Sequence, residues 1–203
     1  MKKIVVIAFL LAVGTAACGA QEARQDISLS GTALIPPFVE GTTDVYVSAN
    51  RGFGALLSYR YMITPSSALE VNYGIDYANE MHYIISNTNH YLINTRIMEM
   101  SAAYVRYFVF KNFNPFIEGG PAGFILLPIY NSGTTTLDAH QVTQPGAIFG
   151  AGIAYELSPS FDLRVEYRGM ITKVPTFNYS ELTTNRWYPF NIYNPVIGIA
   201  YHF

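Results

Sequence analysis

Residues Val196–Phe203 read V-I-G-I-A-Y-H-F, and their character alternates at every step. The even positions are mostly small or polar, whereas the odd positions are large and apolar: Ile197, Ile199, Tyr201 and Phe203. Because successive side chains of a strand point to opposite faces, this period of two predicts a β-strand with one strongly apolar face. The other face is too small and polar for an ordinary soluble core. The stretch therefore favours a strand that faces lipid on one side, with aromatic residues at the lipid–water boundary.

The same residues carry a resemblance to a known family. The pattern Gly198-x-x-Tyr201-x-Phe203 resembles the C-terminal signature of bacterial outer-membrane β-barrels. In that family the signature is read by the barrel-assembly machinery. The resemblance therefore implies that Gly198, Tyr201 and Phe203 form an assembly signal. The family pattern often has a polar residue two positions before the glycine, where this chain has Val196.

The composition of the whole chain agrees with a lipid-facing sheet. Of the 203 residues, 50% are hydrophobic and 15% are aromatic, whereas only 13% are charged, against about 25% in soluble domains. This length suits one sizeable domain. The net charge is −2, so nothing suggests a nucleic-acid partner. Beyond the N-terminal leader no run approaches the roughly 18 apolar residues that a membrane helix needs, so we do not expect helices to cross the membrane.

The first segment, Met1–Ala20, reads as a secretory signal peptide. It begins with a methionine and two lysines, continues through the apolar run Ile4–Val13 and ends in small residues. Cleavage after this segment would leave residues 21–203 as one outer-membrane β-barrel domain. A lipoprotein, in which Cys18 is the lipidated residue, is the alternative. Cys18 is the only cysteine, so the chain after cleavage is predicted to carry no disulfide and no thiolate site.

Alternating segments recur along the rest of the chain, and eight of them are predicted to be strands. They are Asp26–Leu34, Gly52–Ile63, Leu69–Tyr77, Arg96–Phe110, Pro115–Leu127, Gly146–Leu157, Phe161–Ile171 and Tyr188–Phe203. Tight turns such as Thr64–Ser67 alternate with long polar connections, which are predicted at Asn79–Thr95, Tyr130–Pro145 and Lys173–Trp187. This tally is typical of the smallest outer-membrane barrels, which have short periplasmic turns and longer outer loops.

Two details of the pattern give further expectations. Within Arg96–Phe110 the alternation slips, which predicts a β-bulge near Ala103–Val105. Four tyrosines recur near the ends of the even-numbered strands, and they are predicted to form an aromatic girdle on the periplasmic side: Tyr61, Tyr107, Tyr155 and Tyr201.

Closure of this sheet follows from the membrane setting. Lipid offers backbone groups no hydrogen-bond partner, so a spanning sheet keeps no free edge and its last strand must pair with its first. The predicted fold is therefore all-β, an eight-stranded antiparallel up-and-down transmembrane β-barrel. Such a barrel is only wide enough to be filled by its own side chains. Ten charged residues are predicted to form one interior network: Arg60, Glu70, Asp76, Arg106, Glu118, Glu156, Asp162, Arg164, Glu166 and Arg168. A polar path for small solutes is the alternative.

The whole chain after the leader resembles the OmpX-like, or OmpA-type, eight-stranded barrels, without the peptidoglycan-binding domain that follows the barrel in true OmpA-type proteins. The resemblance implies a monomer in the bacterial outer membrane that meets membrane lipids and the assembly machinery. Barrels of this bare form serve as membrane scaffolds or adhesion surfaces. A second resemblance, to OmpW-like barrels that pass small hydrophobic molecules, stays open, because inward Leu56, Phe124 and Met170 could line an apolar pocket.

An enzyme is the third possibility, because some eight-stranded barrels remodel lipid A. The deacylase type carries a His-x-Ser pair, and the palmitoyltransferase type carries a loop histidine with an Asp-Ser dipeptide; neither motif occurs in this sequence. We therefore predict no catalytic residue and no cofactor. Three histidines, His82, His90 and His140, fall in predicted loops, where a metal site is conceivable but solvated surface is the more common role.

Overall fold

The computed structural model describes residues 24–40, 45–85, 89–129, 139–178, 182 and 189–203. The predicted signal peptide lies outside these residues. Among the residues described, no helix has the length and the apolar character to cross a membrane. The strands are β1 Gln25–Leu34, β2 Val39–Glu40, β3 Val45–Ala49, β4 Gly52–Thr64, β5 Ser67–Ile85, β6 Asn89–Tyr107, β7 Phe113–Pro128, β8 Val142–Ser158, β9 Phe161–Lys173 and β10 Pro189–His202.

Eight of these strands form a closed antiparallel barrel, as the sequence predicts. The ring runs β1–β4–β5–β6–β7–β8–β9–β10, and β10 returns to β1. At this seam Asp26 lies opposite His202 and Thr32 opposite Val196. The remaining two strands extend the sheet above the ring: β3 pairs with the far part of β5, and β2 pairs with β3.

The barrel has two unlike ends. The turn end holds the start of β1, the end of β10 and the three short connections at residues 65–66, 108–112 and 159–160. The loop end holds the remaining connections. The names turn end and loop end describe the geometry alone and assign neither end to a side of the membrane.

The outward side chains of the barrel strands form a continuous apolar wall. Leu29, Val71 and Ile197 are 66%, 57% and 59% exposed. Exposure of such apolar side chains is unfavourable in water but favourable in lipid. Aromatic side chains mark the turn end, where the rings of Phe161 and Tyr201 lie 5.2 Å apart. The inward side chains alternate with this wall and are mostly buried. The period of two in the sequence is therefore confirmed in the two faces of the sheet.

The predicted long connection Asn79–Thr95 is wrong. Strand β5 continues to Ile85 and β6 already begins at Asn89, so the two strands form one long hairpin. The register between them shifts between Asp76 and Asn79, and this bulge reverses which side chains face inward. Because inward residues change from even to odd positions at the bulge, the alternation in the sequence is interrupted there and the strand resembles a loop.

The bulge predicted near Ala103–Val105 is also wrong, because β6 keeps a single register with both neighbours along that stretch. Its odd-numbered residues face inward to the end of the strand. Tyr107 is therefore buried in the interior and does not join the aromatic girdle, whereas Tyr61 and Tyr155 are exposed on the wall at the turn end. The strand ends at Tyr107, so the apolar residues after it are not part of its alternation between inward and outward side chains.

One of the other two long connections is shorter than predicted, and the other is displaced by one residue. Strand β8 begins at Val142, inside the predicted connection Tyr130–Pro145, and β9 ends at Lys173. The parts of these connections at 130–138, 179–181 and 183–188 lie outside the described residues. The described residues Val174–Phe177 are not strand, and they are almost entirely buried against the loop end of the barrel. We call Val174–Phe177 the plug segment.

Candidate functional site

The barrel interior is divided into three layers between the turn end and the loop end. Inward positions near the turns carry a small group of ion pairs, those in the middle carry a larger charged cluster, and those near the loops are apolar. This order follows from which inward positions of each strand hold charged residues.

The first layer lies at the turn end and contains two ion pairs. The Arg164 guanidinium lies 2.7 Å from an Asp26 carboxylate oxygen, and its Nη1 also donates to the Ser28 hydroxyl at 3.2 Å. The His202 imidazole lies 2.9 Å from Asp162. Beside these pairs is an open cavity of about 170 Å³, which Tyr107 also lines.

The second layer is built on two arginines that reach across the lumen. Arg60, from β4, donates to Glu70 on the neighbouring strand and to the Tyr107 hydroxyl, and its Nη2 lies 3.6 Å from Glu118 on β7. Its guanidinium carbon stands 4.6 Å from the centre of the Phe116 ring, an arrangement that favours a cation on the ring face. One side chain thus contacts residues on three other strands, β5, β6 and β7.

Arg168 completes the second layer from β9. Its nitrogens lie 2.9 Å from Glu99, 3.0 Å from Glu118 and 3.2 Å from Glu166. Both arginines are fully buried. Asp76 accepts a 2.7 Å hydrogen bond from the Thr32 hydroxyl nearby. This layer therefore holds two arginines and an excess of buried carboxylates, of which all but Asp76 pair with an arginine among the described residues: Glu70, Asp76, Glu99, Glu118 and Glu166.

The third layer is an apolar cluster at the loop end. Its members come from the upper barrel strands, from β3 and from the connections, and they include Leu34, Val47, Met81, Tyr83, Ile93, Phe124, Ile148, Met170, Phe177, Leu182 and Phe190. The plug segment is tied to this cluster by two hydrogen bonds. The Tyr83 hydroxyl donates to the Pro175 carbonyl at 2.7 Å, and the His140 amide donates to the Phe177 carbonyl at 3.0 Å.

Comparison with known proteins identifies the architecture. The family described as the outer membrane protein beta-barrel domain matches residues 6–203. The chain belongs to this family. Its place is therefore the bacterial outer membrane, and the apolar wall is its lipid-facing surface. A search of the curated proteins finds no match.

Solved outer-membrane barrels share the fold at low sequence identity. Neisserial surface protein A is 12% identical with a TM-score of 0.60, over 88% of this chain and 97% of that one. OprG from Pseudomonas aeruginosa is 10% identical with a TM-score of 0.61, over 90% and 97%. The attachment invasion locus protein Ail of Yersinia pestis is 13% identical with a TM-score of 0.52, over 90% and 100%. At these identities the likeness concerns the fold alone.

The structure of this outer-membrane barrel places eight of the ten predicted charged residues in the buried interior. They are Arg60, Glu70, Asp76, Glu118, Asp162, Arg164, Glu166 and Arg168. They do not form one network, because Arg164 and Asp162 belong to the turn-end layer and the others to the middle layer. Glu156 lies half-buried at the turn end, opposite Asp162 in the register, and it has no ion pair among the described residues.

Arg106 is the predicted network member that the structure contradicts. It is exposed on the outer wall, where its Nη1 donates to the Ser67 hydroxyl at 2.8 Å. The error came from assigning the wrong phase to the end of β6. Glu99, seven residues earlier on β6, was not among the predicted charges, yet it faces inward and pairs with Arg168.

Sequence reasoning also missed Asp26 and His202 as interior charges. Asp26 begins the polar face of β1, in line with Ser28 and Ser30, and this alternation could have identified it. His202 lies on the small and polar face of the last strand and in contact distance of Asp162. The signal for both residues was the face they share with inward neighbours.

The residues of the predicted assembly signal lie together at the seam. Gly198 faces Ser30 across it, and a Cβ there would stand 2.6 Å from the Leu29 carbonyl oxygen, so only glycine fits. The Tyr201 and Phe203 rings stack with their centres 6.1 Å apart on the turn end. The Phe203 amide donates to the Gln25 carbonyl at 2.9 Å.

Metal-binding and apolar candidates can be placed as well. Within the described ranges no group of three or more His, Cys, Asp or Glu side chains is positioned to hold a metal ion. His82 and His90 lie on the long hairpin of β5 and β6, with His82 at 3.9 Å from Glu80. Phe124 and Met170 are members of the apolar cluster, and Leu56 is buried on the inward face of β4.

Proposed function

We propose that this outer-membrane barrel is a non-enzymatic structural and surface protein with a sealed interior. The observation that carries this proposal is the crossing of the lumen by Arg60 and Arg168. Arg60 joins β4 to β7, and Arg168 joins β9 to β6 and β7. Each side chain spans about three strands of an eight-stranded ring, so the two together occupy the space that a solute would need.

The apolar cluster supports the same proposal from the loop end. Phe177 is fully buried beneath the loop end, and its neighbours Val174 and Leu182 are buried as well. A dry, packed layer above a charged one leaves ions no continuous polar path. The charged groups then serve to stabilise the barrel, because removal of one partner from a buried pair lowers the stability by about 3–5 kcal/mol.

A non-enzymatic role is supported by how the acidic groups are used. Glu99, Glu118 and Glu166 all lie within ion-pair distance of Arg168, and Asp162 lies against His202. A general acid or base must reach a substrate, whereas these groups face one another inside the barrel.

The orientation, processing and partners belong to the same proposal. Residues 1–20 act as a signal peptide, the turn end faces the periplasm and the loop end faces outward. The barrel works as a monomer, because its sheet edges are closed at the β1–β10 seam and need no second chain. Gly198, Tyr201 and Phe203 provide the signal to the barrel-assembly machinery.

Passage of small hydrophobic molecules is the second candidate, and one observation favours it. Phe177 has φ 48° and Asn178 has φ 60°, a backbone region that bulky side chains adopt at a cost. A strained segment covering an apolar layer that contains Phe124 and Met170 could move to admit an apolar molecule. The two candidates differ in whether the plug segment stays closed.

One experiment with two measurements separates these functions. The refolded protein is placed in planar bilayers for ion conductance, and in vesicles for uptake of a fluorescent apolar dye. A sealed structural barrel gives no stepwise conductance and no dye uptake above that of empty vesicles. The matched variant Phe177→Gly relieves the backbone strain and removes the ring. Dye uptake by the wild-type protein would replace the first proposal with the second, and stepwise ion currents would contradict both.

A further inference from the structure

Charged side chains are sorted between the two faces of the barrel wall. Among the acidic side chains that the structure places, Glu80 alone lies on the outer surface; the interior holds Asp26, Glu70, Asp76, Glu99, Glu118, Glu156, Asp162 and Glu166. The exposed cations of the described residues lie near the two ends of the apolar wall: Arg24, Arg51, Arg96, Arg106, Lys111 and Lys173. The outer surface is therefore basic at both levels where the apolar wall stops.

One of these cations is held in place by an aromatic ring. The Arg96 guanidinium carbon stands 4.7 Å from the centre of the Tyr77 ring, and Tyr77 itself is 47% exposed. Both side chains point outward from neighbouring strands at the loop end of the wall. A guanidinium stacked on a ring keeps its N–H edges free for an anion, so this arrangement presents donors in a fixed direction.

A second exposed arginine, Arg51, lies two residues before Phe53, the partner of Tyr77 in the sheet register. Arg51 sits in the two-residue break between β3 and β4, next to Gly52, where a Cβ would approach the Tyr77 carbonyl oxygen to 2.8 Å. Arg96 lies on β6 and Arg51 lies just before β4, on the two sides of β5, so their backbones are about 10 Å apart by two strand spacings. The nearby Glu80 carboxylate accepts a 2.6 Å hydrogen bond from the Asn50 amide group.

The height of this arrangement matches a membrane boundary. Below Tyr77 the outward side chains of β5 are apolar, as in Val71 and Tyr73, whereas above it they are Glu80 and His82. Headgroups lie where an apolar band ends, and arginine and tyrosine are suited to that level. An anionic lipid whose headgroup is bound there would have its acyl chains against the lipid-facing wall.

We propose that Arg51, Tyr77 and Arg96 form a binding site for the phosphate group of a membrane lipid. The two guanidinium groups donate to the phosphate oxygens, because the planar fork of arginine matches that geometry. The acyl chains lie along the wall below, past Tyr73 and Val71. A free phosphate ion would gain nothing from this wall, so the site selects the lipid. The site is on the outer surface and does not depend on whether the interior is sealed.

Native mass spectrometry of the full, refolded protein in non-ionic detergent tests this proposal. The probes are phosphatidic acid and diacylglycerol with the same acyl chains, which differ only in the phosphate. We expect the wild-type protein to bind phosphatidic acid more tightly than diacylglycerol. Arg51→Gln and Arg96→Gln should each weaken phosphatidic acid binding by about tenfold, the size expected for loss of one hydrogen bond to a charged group.

Matched variants separate the site from general charge. Arg106→Gln removes an exposed arginine from the opposite end of the wall, and it should change phosphatidic acid binding by less than about twofold because Arg106 is already bonded to Ser67. Tyr77→Phe keeps the ring and should bind normally, whereas Tyr77→Leu should bind as poorly as Arg96→Gln. Circular dichroism confirms that each variant is folded.

Three results would overturn the proposal. An equal loss in Arg106→Gln would show that net charge alone attracts the lipid. Equal binding of diacylglycerol would show that only the apolar wall is involved. Displacement of phosphatidic acid by an equal concentration of inorganic phosphate would show an ion site in place of a lipid site.

Discussion

Arg168 has the largest number of ionic contacts of any side chain in the described interior. It lies within 3.2 Å of Glu99, Glu118 and Glu166, and it is fully buried. A cation in this position offsets the repulsion among three carboxylates from three strands. The residue therefore links β6, β7 and β9 through ion pairs.

Substitution of this residue tests the middle layer. Arg168→Met keeps much of the volume but removes the cation that pairs with Glu99 and Glu166 and leaves Glu118 with Arg60 alone, so we expect it to lower the free energy of unfolding by about 3–5 kcal/mol. The control Arg106→Met removes an exposed arginine from the outer wall and should cost less than about 1 kcal/mol. Urea unfolding in lipid vesicles measures both. Similar losses in the two variants would contradict the assignment of Arg168 to a structural ion cluster.

The sequence predicted individual residues well where one period extends through a whole strand. In β9 the alternation is regular, and it correctly separated exposed Val165 from buried Glu166. In β6 the residues after Tyr107 continued an apolar pattern beyond the end of the strand, so Arg106 was assigned to the interior, whereas it is exposed. Alternation shows which residues share a face, but a separate fact must show which face is inside.

At the scale of an element, β10 is the strand that closes the barrel. It pairs with β9 along its length and with β1 from Thr32 back to Asp26. Its last residues stack Phe203 on Tyr201, and Tyr201 lies against Phe161 of β9. The aromatic group therefore sits at the turn end beside the seam, where a partner could reach it before the barrel closes.

The proposed assembly signal predicts a defect in assembly and little change in the finished barrel. Phe203→Ala removes one half-exposed ring, while the backbone bond to Gln25 is preserved. We expect a several-fold fall in the amount of protein in the outer membrane, with unfolding of the purified, refolded variant shifted by less than about 1 kcal/mol. The conservative control Phe203→Tyr should assemble normally. Normal membrane levels of Phe203→Ala would refute the signal.

Strand lengths were the least predictable feature of the elements. Alternation between lipid-facing and inward residues ends where the apolar wall ends, at Tyr77 on β5, yet the strand continues to Ile85. Beyond the bulge the outward residues are polar and Met81 and Tyr83 face inward, so the stretch resembled a loop rich in polar and aromatic residues. The plug segment was unpredictable for a similar reason, because its burial depends on distant parts of the chain.

At the scale of the whole molecule, the two ends predict an orientation. Short connections lie at one end and the longer ones at the other, and in barrels of this kind the short turns are periplasmic. A protease recognition sequence inserted between Gly133 and Thr134 should be cut when the protease is added to intact cells. The same sequence inserted between Lys111 and Asn112, in a turn, should be cut only after the outer membrane is permeabilised. The opposite pattern would invert the barrel.

The seam between β1 and β10 also determines the order of events during biogenesis. Its paired residues come from opposite ends of the barrel sequence, as in Asp26 with His202. Contacts between such distant segments form slowly, because the intervening chain must first be brought together. The ring cannot close before β10 has been synthesised and exported, and until then β1 exposes an unpaired edge. The time between the arrival of β1 and that of β10 is therefore when the unfinished barrel is most open to pairing with another chain.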